Sequence, residues 1–302
     1  MTFDQAKSSL SIDRIQQICV VGAGTLGAQI AQVAALHSYR VNLTDVNPVA
    51  LEKAVEGNRS QLQNRVSKGK LSQRAADEAL ARVQTFTSIE AAAGNADFVI
   101  EAVFEEVEVK RETFRKLDAI CPAHTILASN SSSLLISQIA RDIKRKDKTV
   151  NMHFFHPALV MQLVEIVRGP ETSDETVNIT IELGKRLGKE TVLMNKAVFG
   201  CIINPALIAE VDTTVRLYAE GHPDLQGSEK AERLGLVHPL DMFEMTDFSR
   251  AEVLHFVRPQ PYRDSGDPRD KPPTFLDEMV HEGRPQPRLV QGSFEYLNSK
   301  VR

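Results

Sequence analysis

Four polar residues stand out from the strand-rich half of the chain and its junction with the helices: Ser132, His153, Glu165 and Asn204. Glu165 interrupts the apolar run Leu163 to Val167, and a carboxylate flanked by Val164 and Ile166 needs a partner if it is buried. His153, near the end of the strand-like stretch Val150 to Phe155, is the obvious partner. A carboxylate on one imidazole nitrogen fixes the tautomer, leaves the other nitrogen as a base and stabilises the imidazolium formed on proton uptake. The pair points to general acid–base chemistry, with a satisfied core histidine as the plainer alternative. Ser132 belongs to Ser129-Asn130-Ser131-Ser132-Ser133, just past an expected strand, where open parallel sheets bind ligands. The same serines could equally cap the next helix. Asn204 sets an amide at the start of an apolar helix, as a ligand contact or a contact between helices. His153 and His156 sit in a strand setting, which weakens a metal pair, and no spacing resembles a zinc site, so no metal is expected.

A second constellation lies near the N-terminus. Val20-Val21-Gly22-Ala23-Gly24-Thr25-Leu26-Gly27 follows an apolar run and opens an amphipathic segment. This is a dinucleotide-binding pattern. Gly22 permits the tight turn, Gly24 lets the backbone approach a pyrophosphate, Gly27 lets the helix lie on the strand, and Thr25 and Leu26 start that helix. The orphan N–H groups of its first turn would face the phosphates. Asp45 ends the next apolar stretch, Val41 to Thr44, at the interval of roughly 20 residues that such folds use. Its carboxylate suits ribose hydroxyls and repels a 2′-phosphate, so NAD is expected over NADP.

These residues need a sheet to bring them together. Asn47-Pro48 reads as a cap and first helical turn, opening a helical arm over about residues 48–82 whose tip, Arg65-Val66-Ser67-Lys68-Gly69-Lys70, is basic. Strands are expected at Asp97 to Val103, Thr125 to Ala128, Thr149 to Phe155 and Leu163 to Val167. Helices are expected around Val109, Phe114 and Leu117, over Ser133 to Ile143, and over Asp174 to Leu187. The alternation specifies an α/β, doubly wound Rossmann-type sheet, with antiparallel additions at its edge, over residues 1–195. From about Ala197 the pattern turns to helices without strands: Ile202, Ala206, Ile208, Ala209, Val215 and Leu217 mark a long apolar one. A mainly α-helical domain over residues 196–302 follows, with Arg258 to Pro273 as an exposed connection.

The 302 residues suffice for two domains, and a formal net charge of -4 without a basic block argues against nucleic acid. Met1 to Gln17 reads as a loose polar leader rather than a signal peptide, and no apolar run is long enough to cross a bilayer. Cys19, Cys121 and Cys201 look like buried fillers in a reducing compartment, which suggests the cytoplasm.

The chain resembles the L-3-hydroxyacyl-CoA dehydrogenase family, including 3-hydroxybutyryl-CoA dehydrogenases. The resemblance rests on the glycine motif, Glu101-Ala102-Val103, Ala128-Ser129-Asn130-Ser131-Ser132-Ser133, Met152-His153-Phe154-Phe155-His156-Pro157, and Val160 to Gly169, in family order. It implies NAD-dependent interconversion of (S)-3-hydroxyacyl-CoA and 3-oxoacyl-CoA, with short chains such as 3-hydroxybutyryl-CoA. It also implies an active site of Ser132, His153, Glu165 and Asn204, with Glu105 and Lys110 near the nicotinamide, Lys68 near coenzyme A phosphates, and a homodimer formed through the C-terminal domain. The same chemistry on a functionalised 3-hydroxy acid or an acyl-carrier-protein thioester, or an inactive NAD-binding relative, are the alternatives.

The sequence departs from the family at His156, where an asparagine near the nicotinamide ribose is usual, and at Phe199-Gly200-Cys201, where Pro-Gly-Phe is usual. Pro205 replaces an arginine and is expected to hold Asn204 away from helical geometry. Pro239 to Glu244, Arg288 and Gln291 to Phe294 also depart, which puts acyl specificity in question more than the reaction.

Overall fold

The computed structural model describes residues 11–196, 200–222, 224–238 and Gly266. Readings that fall on residues 1–10, Phe199, Pro239 to Glu244, Arg288, Gln291 to Phe294 and most of Arg258 to Pro273 lie outside the described residues. The chain divides into two compact units, Met1–Cys201 and Ile202–Arg302.

In the first unit strands and helices alternate. They are β1 (Gln17–Val21), α1 (Thr25–Leu36), β2 (Arg40–Thr44), α2 (Pro48–Ser67), α3 (Gln73–Ala81), β3 (Val83–Phe86), α4 (Ile89–Ala93), β4 (Phe98–Glu101), α5 (Val107–Ile120), β5 (Ile126–Ser129), α6 (Ile136–Ile139), β6 (Thr149–Phe154), β7 (Leu163–Val167), α7 (Asp174–Arg186) and β8 (Glu190–Met194). The strands form one sheet in the order β3-β2-β1-β4-β5-β6-β7-β8. Every pairing is parallel except that of β6 with β7. The second unit, as far as it is described, consists of α8 (Ile203–Ala219) and α9 (Leu225–Gly235). Among the described residues no helix is long and apolar enough to cross a membrane.

The inner strands are apolar on both faces because both faces are covered. On β1, Ile18 and Val20 join one buried cluster with Ile30, Ala31 and Val33 of α1, while Cys19 and Val21 join another with Phe114 and Leu117 of α5. The strand order reverses direction at β1 and β4, and ligands of such sheets bind at the carboxyl ends there. Gly22 turns the chain at that point with φ +104°, a backbone that side chains rarely adopt, and a Cβ on it would meet the Ala102 carbonyl oxygen at 2.5 Å. A Cβ on Gly27 would come within 2.0 Å of the Gly22 carbonyl oxygen, so only glycine lets α1 lie this close.

The arm is anchored along α1. Asn47 caps α2 through Val49 N–H, and buried Asn58 donates to the Ala28 carbonyl at 2.8 Å. Leu51, Ala54, Leu62, Ala76 and Ala79 are buried beneath it.

Several expectations need correction. The segment from residue 11 is docked, not loose: Ile15 is buried, Asp13 pairs with Arg186 at 2.6 Å, and the Gln16 and Gln17 N–H groups bond Asp97. The helix expected over Ser133 to Ile143 shrinks to α6, because serine and asparagine side chains hold residues 130–135 as a loop. Asn204 and Pro205 both lie within the first turn of α8; a proline is tolerated there because that turn's N–H groups have no intrahelical acceptor. Apolar periodicity did not reveal the partly exposed β3 and β8.

At the carboxyl end of β4 a charged pair is sealed in the core. Glu101 is 0% exposed and Lys110, from α5, is 1% exposed; their Nζ–Oε1 separation is 2.7 Å. Ser129 Oγ and the Val103 N–H donate the remaining hydrogen bonds to Glu101. Burial pushes the Glu101 carboxyl up, and the Lys110 ammonium and these donors offset part of that rise.

Two stability predictions follow from this packing. Gly27→Ala should lower stability by about 1–3 kcal/mol or more, since it overpacks rigid backbone, whereas Gly24→Ala, with nothing within 4 Å, should cost far less. Equal urea midpoints for the two variants would overturn the close-approach argument. Lys110→Ala should cost about 3–5 kcal/mol by stranding a buried carboxylate, and adding Glu101→Gln should restore part of it. A double variant no more stable than Lys110→Ala in the same assay would show that the charge is not the cause.

Candidate active site

β6 runs parallel to β1, β4 and β5, so the carboxyl ends of all four open on one edge of the sheet. β7 then returns antiparallel, and its register sets Glu165 directly opposite His153. His153 Nδ1 lies 2.9 Å from Glu165 Oε2, with His153 7% and Glu165 1% exposed. A buried carboxylate thus meets a buried imidazole, as the two interruptions of apolar strands suggest. The Phe155 ring packs against the imidazole at 4.6 Å between centroids.

Ser132 sits half-buried in the loop after β5. Its carbonyl oxygen accepts from Gly200 N–H at 3.0 Å and from the Cys201 thiol at 3.9 Å. The Cys201 sulfur, the Glu165 carboxylate and the His153 imidazole have ligand-type atoms all within 4.8 Å of one another. Cys201 holds φ at +58°, a conformation that costs an ordinary residue about 1–2 kcal/mol. Its thiol is pushed up to about 12, first by burial and then by the Glu165 carboxylate beside it. Ser132, His153 and Glu165 are therefore gathered at one place in the first unit. Asn204, half-buried in the first turn of α8, belongs to the second.

The loop that carries Ser132 is held by Asn151 and Asn130, whose roles sequence reasoning passed over, and by Glu105. Asn151 Oδ1 accepts from Ile136 N–H at 2.8 Å, and its Nδ2 donates to the Ser131 and Leu134 carbonyls. Asn130 Oδ1 accepts from Phe154 N–H at 2.8 Å, pinning the residue next to His153. Glu105, partly exposed, accepts from the Ser131 and Ser133 hydroxyls and lies 3.2 Å from Lys110 Nζ. Partial burial would raise its carboxyl, but the Lys110 charge and the two hydroxyls hold it below the usual range. Glu101 and Asn151 interrupt apolar strands just as Glu165 does, and that signal could have found them.

The loop after β6 is clamped from three sides. Lys189 Nζ donates to the Ala158 and Met161 carbonyls at 2.6 and 2.8 Å, Arg65 Nη1 donates to the Leu159 carbonyl, and Gln29 Oε1 accepts from Ala158 N–H. Burial, with the Arg65 charge nearby, pulls the Lys189 ammonium down. This loop begins at exposed His156, whose bond to Pro157 is cis, and presents Val160 and Met161 to solvent. Arg65 is thus engaged, while Lys68 and Lys70 remain exposed at the tip of the arm.

The glycine turn fits a dinucleotide. Gly22 and Gly27 are filled by backbone, but a Cβ on Gly24 would project into open space, and Gly24 and Thr25 are exposed where α1 begins without a side-chain cap. Leu26 is half-buried behind them. Asp45 accepts Ala23 N–H on Oδ2 at 2.8 Å and Asn47 N–H on Oδ1 at 2.9 Å. Each oxygen keeps a lone pair for a hydroxyl donor.

Comparison with known proteins agrees with this geometry. Residues 17–198 match the family model described as 3-hydroxyacyl-CoA dehydrogenase, NAD binding domain. The chain is 34% identical over 282 residues to a probable 3-hydroxybutyryl-CoA dehydrogenase of Bacillus subtilis, covering 93% of this chain and 98% of that one. It is 33% identical over 289 residues to the mitochondrial hydroxyacyl-coenzyme A dehydrogenase of Homo sapiens, covering 93% and 91%. The crystal structure of (S)-3-hydroxybutyryl-CoA dehydrogenase from Ralstonia eutropha superposes with a TM-score of 0.83 at 32% identity, covering 89% of this chain and 94% of that one. The glycine turn, the buried imidazole–carboxylate pair and these matches together make the chain a member of the 3-hydroxyacyl-CoA dehydrogenase family, with residues 17–198 as its NAD-binding domain.

Proposed function

We propose that this chain interconverts (S)-3-hydroxyacyl-CoA and 3-oxoacyl-CoA with NAD(H), on short acyl chains such as 3-hydroxybutyryl. The observation that carries the reading is the 2.9 Å bond between His153 Nδ1 and Glu165 Oε2, on the sheet edge that also bears the glycine turn. With Nδ1–H donated to Glu165, His153 presents Nε2 as a base. It takes the proton of the substrate 3-hydroxyl, and Glu165 stabilises the imidazolium until the proton is lost to solvent or returned. Bound NAD+ supplies the hydride acceptor for C3. Ser132 would hydrogen-bond the reacting oxygen and Asn204 the substrate carbonyl.

The cofactor would be held by the N-terminus of α1, through Gly22, Gly24, Thr25, Leu26 and Gly27, and by Asp45 on the adenosine ribose. We assign Glu105 and His156 to the nicotinamide half. Lys110 is sealed from solvent, so its part is to hold Glu105. The NAD-binding domain spans residues 1–195 with the arm at 48–82, and residues 196–302 form a substrate and dimerisation domain. The homodimer is assigned to the second unit, on which Leu217, Leu234, Leu236 and Val237 are exposed. Three free, buried thiols suit the cytoplasm.

The direct test is a panel of 3-oxoacyl-CoA thioesters followed by NADH absorbance. His153→Ala should lower turnover by roughly 10²- to 10⁴-fold while NADH binding, read by fluorescence, persists. Glu165→Gln should also slow turnover. Near-normal rates in both variants, with chemistry limiting, would remove the pair from the mechanism.

The arm generates its own prediction. Lys68→Ala should raise KM for CoA thioesters and leave KM for N-acetylcysteamine thioesters, which lack the nucleotide, nearly unchanged. An equal rise for both substrates would refute a coenzyme A contact at Lys68.

A further inference from the structure

The His153–Glu165 pair has a third member that the proposed reaction does not use. Cys201 is 3% exposed, and its sulfur stands with an imidazole nitrogen and a Glu165 oxygen in a group no wider than 4.8 Å. All three side chains are buried, which separates this group from the scattered surface carboxylates that any protein carries. Tetrahedral zinc bound to one sulfur, one nitrogen and one oxygen spaces its ligand atoms about 3.5 Å apart. Closing the group to that spacing takes rotamer-sized movements. The backbone at Gly200-Cys201 is committed to this placement, since both residues hold positive φ and the Gly200 N–H bonds the Ser132 carbonyl.

We infer that His153, Glu165 and Cys201 form an inhibitory site for a thiophilic divalent cation such as Zn2+ or Cd2+. Charge balance favours a dication: a thiolate and a carboxylate carry two negative charges, and a 2+ ion cancels them without leaving a net charge in the core. Soft thiolate with imidazole selects zinc and cadmium over magnesium or calcium, which prefer oxygen ligands alone. Binding forms metal–sulfur, metal–nitrogen and metal–oxygen bonds, releases the thiol proton to solvent with loss of the thiol's bond to the Ser132 carbonyl, and, where the ion takes Nδ1, also breaks the hydrogen bond between His153 and Glu165. Nothing is oxidised or reduced. If the ion takes Nε2, it occupies the lone pair of the base. If it takes Nδ1, the ring proton moves to Nε2. Either way no basic nitrogen remains for the substrate hydroxyl. Substrate must reach His153 for turnover, so the ion needs no separate path. The inhibitory consequence rests on His153 as the base, whereas the binding site itself does not.

Cd2+ titration of the purified chain, followed by the ultraviolet charge-transfer band of cadmium thiolate, tests the site without any turnover. The wild type should show a saturating band, and Cys201→Ala and Cys201→Ser should lose the component with one ion per chain. Use of both variants guards against one failing to fold, and Cys19 and Cys121 stay as a common background. In parallel, Zn2+ should inhibit NADH oxidation reversibly, with chelator restoring the rate. The inhibition constant, relative to each variant's own uninhibited rate, should rise at least about tenfold on loss of the sulfur. An identical band in wild type and both variants, or equal zinc sensitivity, overturns the site. A Cys201-dependent band in a protein that turns over no 3-oxoacyl thioester would sustain the site and overturn the proposed reaction instead.

Discussion

Two carboxylates are held out of water at the carboxyl edge of the sheet, and most of what surrounds them serves to answer that cost. Glu101 and Glu165 are 0% and 1% exposed. An isolated charge in such a place is prohibitively expensive, so each must find a donor of matching strength. Glu101 takes the Lys110 ammonium, the Ser129 hydroxyl and a backbone N–H. Glu165 takes His153 across a pair of antiparallel strands. The first arrangement is fully paired and works as a fastener between β4, β5 and α5. The second uses an imidazole, the one common partner whose proton is exchanged near neutral pH, and so it remains open to chemistry.

The fastener also reaches the second site. Lys110 bridges from Glu101 to Glu105, and Glu105 in turn receives the hydroxyls of Ser131 and Ser133. Asn151 secures the same loop from β6, and Asn130, within the loop, ties it to the residue after His153. Ser132 is thus placed by its neighbours' side chains, with its own backbone bound to Gly200 and Cys201. In the proposed role of Ser132 such holding matters, because small displacements of an aligned group are costly to rate. The loop from His156 to Met161 is treated alike, by Lys189, Arg65 and Gln29. The arm therefore has a structural duty through Arg65 besides whatever its exposed lysines bind.

Cys201, in the segment where the resemblance leads one to expect Pro-Gly-Phe, stands against the buried His153–Glu165 pair. A large ring at that position would fill space with carbon. A thiol fills less and brings a polarizable atom whose proton sits beside a carboxylate. The positive φ it maintains is a strain that the surrounding hydrogen bonds must sustain.

The sequence by itself determined the sheet and the nature of the site. Apolar runs at β1, β2, β4, β5, β6 and β7 are legible because strands buried on both faces need carbon at every position. Gly22, Gly27 and Asp45 are legible because their jobs depend on local backbone geometry. His153 and Glu165 are legible as polar breaks in such runs. β3 and β8 were not, since half-exposed edge strands tolerate polar residues and lose the pattern. The extent of α6 was not, because serines that resemble helix caps are taken by Glu105 from a distant loop. Only the tertiary structure decided that His153 faces Glu165, through the antiparallel return of β7, and that Cys201 stands between them and Ser132. Those are facts of register and of chain crossing. Residues far apart in sequence carry no local signal of who their neighbours are, and only the folded sheet brings a thiol, an imidazole and a carboxylate within reach of one another.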